Sequence, residues 1–90
     1  MQVEIYSSFV RDSKKLTPTI KADIANAISL MQNAKTFSEI HDIKTLQGGK
    51  KAKNAYRMRI GDYRICFYFR NEIIALVRVL PRKEVYRVFP

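Results

Sequence analysis

Apolar and polar positions follow two different periods along this chain, and the change of period divides it near the middle. Val3 to Tyr6, preceded by Gln2 and interrupted by Glu4, reads as a short strand. A first helix is expected over roughly Phe9 to Leu16, with Ser7 or Ser8 as a cap whose oxygen accepts from a free first-turn N–H. Thr17-Pro18 is a second start signal: threonine caps, and proline takes the first helical position, where its missing N–H costs nothing. Ile20, Ile24, Ala27, Ile28 and Met31 then recur at helical spacing and build one apolar face. Lys21, Asp23, Asn26 and Gln32 populate the polar side, so two helices in quick succession form an αα-hairpin.

Lys35 to Asn54 has a looser pattern, with a turn at Leu46-Gln47-Gly48-Gly49. From Ala55 the period becomes two. Tyr56, Met58 and Ile60 face one way, and Arg57 and Arg59 the other. Gly61-Asp62 is a hairpin signal, after which Ile65, Phe67 and Phe69 oppose Arg64, Cys66, Tyr68 and Arg70. Asn71-Glu72 makes a second turn, and Ile73 to Leu80 is a nearly unbroken apolar run that reads as a central strand. Pro81 ends that strand because it cannot donate to a ladder, leaving Arg82 to Pro90 as a basic and aromatic tail. The order is βααβββ. The economical packing is α+β, with two helices on one face of a small antiparallel sheet and the arginines on the other.

Ninety residues at 47% hydrophobic and 28% charged make one ordinary folded domain, spanning 1–90. A domain this small has a thin stability margin and benefits from a partner. A single cysteine, Cys66, cannot form an internal disulfide, and it shares a strand face with Arg64; a buried, inert thiol is expected. No stretch approaches the ~20 apolar residues of a membrane span, and the N-terminus does not read as a signal peptide. A soluble cytoplasmic protein without membrane contact is the expectation.

Charge changes the picture more. Up to Ile43 acids and bases balance; from Lys44 onward there are twelve basic and three acidic residues, so the whole net charge of +9 belongs to the strand-rich half. A positive field confined to one half of a small domain points to a polyanion, and nucleic acid is the commonest. Metal and cofactor chemistry finds little here. The carboxylates are scattered, and the lone His41, read as a surface residue, lacks partners for a zinc site or a two-histidine nuclease pair.

Tyr56-Arg57-Met58-Arg59-Ile60-Gly61-Asp62-Tyr63-Arg64, followed by Val77 through Tyr86, resembles the signature of the RelE/ParE superfamily of bacterial and archaeal toxin–antitoxin toxins, RelE-like branch. The likeness spans essentially the whole chain, including the Lys44-Thr45-Leu46-Gln47-Gly48 lead-in. It implies a metal-independent endoribonuclease without cofactor, cutting mRNA in the ribosomal A site, and a cognate antitoxin that holds it inactive. A toxin–antitoxin heterotetramer on its own operator is a further implied form. The family's basic residues on the first two meander strands fall on Arg57, Arg59 and Arg64; its later arginine and near-terminal tyrosine fall on Arg82 and Tyr86. Many relatives carry histidine just before that later arginine. This chain has Pro81, so histidine acid–base chemistry is not implied there.

Cutting RNA by 2′-OH attack on the adjacent phosphate needs a base, cations for the developing charge, and an acid for the leaving 5′-oxygen. Arginine suits the middle task, because its planar fork grips phosphate oxygens in pairs. It is a poor base, since it stays protonated; a phenol among cations is better, which favours Tyr86 as base, or as a ring that stacks on a splayed nucleobase. Lys44, Lys50, Lys51, Lys53 and Lys83 are expected to hold RNA phosphates without reading sequence. Alternation by itself would also explain Arg57 and Arg59 as a solvated strand face, and Phe89 could simply dock the tail. Two other functions share the fold: a ParE-like toxin that inhibits DNA gyrase, and a degenerate relative that only binds RNA. The tail's basic–tyrosine constellation favours the nuclease.

Overall fold

The structure, a computed structural model, describes residues 1–46 and 53–90. The expected turn after Leu46 and the lysines Lys50 and Lys51 lie outside the described residues. The first half contains β1 (Gln2–Ile5), α1 (Ser7–Ser13) and α2 (Pro18–Asn33), followed by a 3-10 turn at Phe37–Glu39. Then come β2 (Ile43–Thr45), β3 (Ala55–Ile60), β4 (Tyr63–Arg70) and β5 (Ile73–Pro81). The tail folds into a 3-10 turn at Arg82–Glu84 and a single helical turn, α3 (Val85–Val88). No helix among the described residues is long and apolar enough to cross a membrane.

The five strands form one sheet in the order β1-β5-β4-β3-β2. β2 to β5 are antiparallel neighbours, as the meander requires, but β1 runs parallel to β5, pairing Gln2 with Ile73 through Ile5 with Leu76. The sheet is therefore mixed, and the expectation of a purely antiparallel one is corrected. A four-residue strand at the chain start has no periodic cue for direction. Its direction comes from α1 and α2, which return the chain across the sheet. β2 likewise falls inside the segment with no clear period, because three residues carry too little alternation to register.

α1 begins two residues before the expected position. Tyr6 is its N-cap and makes no side-chain cap bond, so neither Ser7 nor Ser8 caps it. Ser8 is inside the helix instead, its hydroxyl donating to the Val77 carbonyl of β5. α2 starts as expected: Thr17 Oγ1 accepts from Ile20 N at 3.4 Å, and Pro18 opens the helix.

Both sheet faces are covered, and this is what positions the site. On one face Phe9, Ile24, Ala27 and Met31 from the helices meet Met58, Ile65, Phe67, Ile74, Leu76 and Val79. On the other, a smaller core joins Leu46, Ala55, Cys66 and Leu80 to Val85 and Phe89 of the tail. β5 supplies both cores because a bulge opposite Cys66 and Phe67 inserts an extra residue, moving Val79 to the helix side beside Leu76. Its near-continuous apolar run reflects that double burial.

β5 outruns the short β1, and α1 closes the open part of its edge. Asp12 accepts from the Arg78 guanidinium twice, at 2.7 and 3.1 Å, and from the Val79 amide at 3.1 Å. With Ser8 on the Val77 carbonyl, two helical side chains occupy polar groups a further strand would use.

Candidate active site

The face away from α1 and α2 carries a column of cations set by strand register. Arg59 lies directly opposite Arg64 across β3 and β4, and Lys44 opposite Arg57 across β2 and β3. Alternation puts these side chains on the outer face while Tyr56, Met58 and Ile60 pack toward the helices.

The tail completes the arrangement from above. Arg82 N donates to the Asp62 carbonyl at 2.9 Å, tying the start of the tail to the β3–β4 turn. Val85 and Phe89 are buried, and the Phe89 ring lies 5.2 Å from that of Tyr68. With those two residues down, the intervening Tyr86 points outward and is 57% exposed. The Arg57 guanidinium lies over its ring, 5.1 Å from the centroid, a cation–π contact that orients both groups. Phe89 is thus the anchor of the tail, and Tyr86 faces solvent beside Arg57.

These residues surround one cleft of about 490 Å³, lined by Asp42, Ile43, Lys44, Arg57, Arg59, Arg64, Arg82 and Tyr86. All five residues expected to do chemistry meet there, together with Lys44. Lys53 and Lys83 are exposed but do not line the cleft. Asp42 does, and nothing in the sequence pattern singled it out. Its position depends on the pairing of β2, and its only local cue is that aspartate tolerates the left-handed backbone it adopts, at φ 63°.

The electrostatics follow from crowding. Arg64 Nη1 donates to the Gly61 and Tyr63 carbonyls at 2.9 and 2.8 Å, which fixes one side of its guanidinium and leaves other N–H groups for an anion. Partial burial holds its pKa below the ordinary arginine value, and repulsion from Arg59, Arg82 and Arg57 adds to the effect. Cys66 lies under the same face, opposite Arg57; burial pushes its thiol up to about 12, so it stays protonated and inert. His41 is exposed and opens onto a neighbouring groove with Asp23, Asn26 and Leu30. Among the described residues no three His, Cys, Asp or Glu side chains group in a way that could hold a metal ion.

The family model for the ParE toxin of the type II toxin–antitoxin system parDE matches residues 3–86. The chain belongs to the RelE/ParE superfamily of type II toxins. Within it the RelE side is nearer at hand: the chain is 35% identical to Toxin RelE3 of Methanocaldococcus jannaschii over the full length of both. The fold matches the RelB-RelE antitoxin-toxin complex from Methanococcus jannaschii with a TM-score of 0.78 and 33% identity, covering 97% of this chain and 99% of that one. The RelE-RelB complex from Pyrococcus horikoshii gives 0.69 over 93% and 97%, and at 20% identity that likeness speaks for the fold alone. This RelE-like toxin therefore has the α+β fold its sequence resemblance implied.

Proposed function

We propose that this RelE-like toxin is a metal-independent endoribonuclease that cuts mRNA, with the cleft between β2–β4 and the tail as its active centre. The reading rests on one observation: four guanidinium groups and one exposed phenol surround a single solvent-open cleft, with no carboxylate among the described residues paired to any of the four. Such a group of cations fits a phosphodiester and the extra charge that develops as it is attacked. In the reaction the 2′-oxygen bonds to phosphorus and the bond to the 5′-oxygen breaks, leaving a cyclic phosphate and a free 5′-hydroxyl. Tyr86 takes the 2′-hydroxyl proton or stacks on the adjacent base. Arg57, Arg59, Arg64 and Arg82 hold the phosphate oxygens, while Lys44, Lys53 and Lys83, with Lys50 and Lys51, attract the strand along its backbone. The ribosome is the expected setting, since it presents mRNA extended and singly exposed.

The two solved archaeal relatives named above are complexes with RelB, and the same kind of partnership is proposed here. An acidic antitoxin would associate fast with a protein of charge +9 and neutralise the cleft. The matching family model carries the ParE name, which makes gyrase inhibition the second reading.

Brief induction followed by mapping of RNA 5′ ends separates the two. New ends within translated codons are expected; intact messages with a DNA-damage response would favour gyrase instead. Arg82→Ala and Tyr86→Ala should each cut cleavage by about a hundredfold and relieve growth arrest, with antitoxin binding and thermal melting retained. Persistent toxicity in both variants overturns the assignment of the site.

A further inference from the structure

The cleft contains one group that phosphate chemistry leaves unused. Among the described residues Asp42 is the only carboxylate that lines it; the other charged ones are all cations. It is exposed and forms no ion pair among the described residues. Its backbone is held in place nonetheless. Arg59 N donates to the Asp42 carbonyl at 3.1 Å, extending the β2–β3 ladder by one residue and fixing the left-handed turn there.

A carboxylate facing a phosphate site opposes the polyanion and adds nothing to its grip. What it offers is a pair of acceptor oxygens in a cleft otherwise furnished with donors. On single-stranded RNA the donors open to such acceptors are the lone O–H of each ribose 2′-hydroxyl, which all four nucleotides share, and the N–H groups on base edges, which differ from base to base. Guanine is the one base whose Watson–Crick edge sets two N–H donors side by side, N1–H and N2–H, matching both oxygens of a carboxylate. Adenine and cytosine place a lone-pair nitrogen beside their amine, and uracil flanks its single N–H with carbonyls. Asp42 is backbone-paired to Arg59, one strand spacing or about 4.8 Å between main chains, and it borders the same cleft as the Arg59–Arg64 column.

We propose that Asp42 is the base-selecting residue of the cleft, accepting both Watson–Crick N–H groups of a splayed guanine next to the scissile phosphate. This rests on the ribonuclease reading and specifies its substrate.

The test compares 5′-end maps after brief induction of the unaltered chain, Asp42→Asn and Asp42→Ala. The readout is the base composition at cuts, which is independent of total rate. The unaltered chain should prefer guanine about tenfold. Asp42→Ala should bring that preference to within about twofold. Asp42→Asn tolerates the same backbone and should shift preference to adenine or cytosine, whose donor–acceptor edges match an amide. An unchanged guanine preference in both variants overturns the proposal, as does an equal loss at every sequence, which a structural or proton-transfer role would produce. Growth arrest by the unaltered chain without new 5′ ends sinks the ribonuclease reading itself, and this proposal with it.

Discussion

At the scale of single residues, the site is a concentration of like charge held in place by neutral neighbours. Arg59 and Arg64 face each other across adjacent strands, an arrangement that costs stability because like charges directly opposite repel. Arg59 is exposed, whereas Arg64 is engaged by two carbonyls. Arg59→Gln should therefore stabilise the fold, by about 0.5 kcal/mol in a urea titration, while abolishing growth arrest. A loss of stability in that variant would mean the guanidinium does structural work. The facing of Arg57, Arg59 and Arg64 was legible in the sequence, because a strand's period of two leaves no choice once Met58 and Ile65 are known to be core. Asp42 was not legible, since its place depends on which strand β2 joins.

Among elements, the long meander and the existence of the first strand could be read, whereas β2 and the direction of β1 could not. β3 and β4 repeat the apolar–polar alternation enough times to stand out, β5 is marked by its near-continuous apolar run, and both connecting turns carry turn residues. β2 has three residues and β1 four; tertiary pairing alone reveals β2 and sets β1 parallel to β5. The β4–β5 turn still contains an unfavourable choice. Asn71 and Glu72 have φ of 52° and 63°, the pattern of a two-residue hairpin turn whose second position suits glycine far better than glutamate. Glu72→Gly should raise stability by about 1 kcal/mol, seen as a higher melting temperature with toxicity unchanged. No gain would indicate that the Glu72 side chain offsets its backbone strain.

For the whole molecule, the charge asymmetry read from composition corresponds to one surface. Of the five acidic residues in the first half only Asp42 borders the cleft, while Lys44, Arg57, Arg59, Arg64 and Arg82 gather over the outer sheet face. Binding of single-stranded RNA should then depend steeply on salt. With five cleft cations engaged, log K should fall against log salt with a slope of about −3.5, and Arg82→Ala should reduce that magnitude by about 0.7. Fluorescence anisotropy over a salt series measures both; a flat response would disconnect the cleft from RNA. The tail's role needed three-dimensional information, because Val85 and Phe89 look like any apolar residues near a terminus until the second core beneath them is seen.

The closed edge of β5 bears on how such a protein survives at high local concentration. Its most apolar strand, β5, has β4 along one edge throughout but β1 along only half of the other, the type of open seam along which chains stack into insoluble aggregates. Ser8 and Asp12 seal that seam from within the same molecule. With that seam closed from inside, the chain's most adhesive strand offers no free edge there to recruit copies of itself.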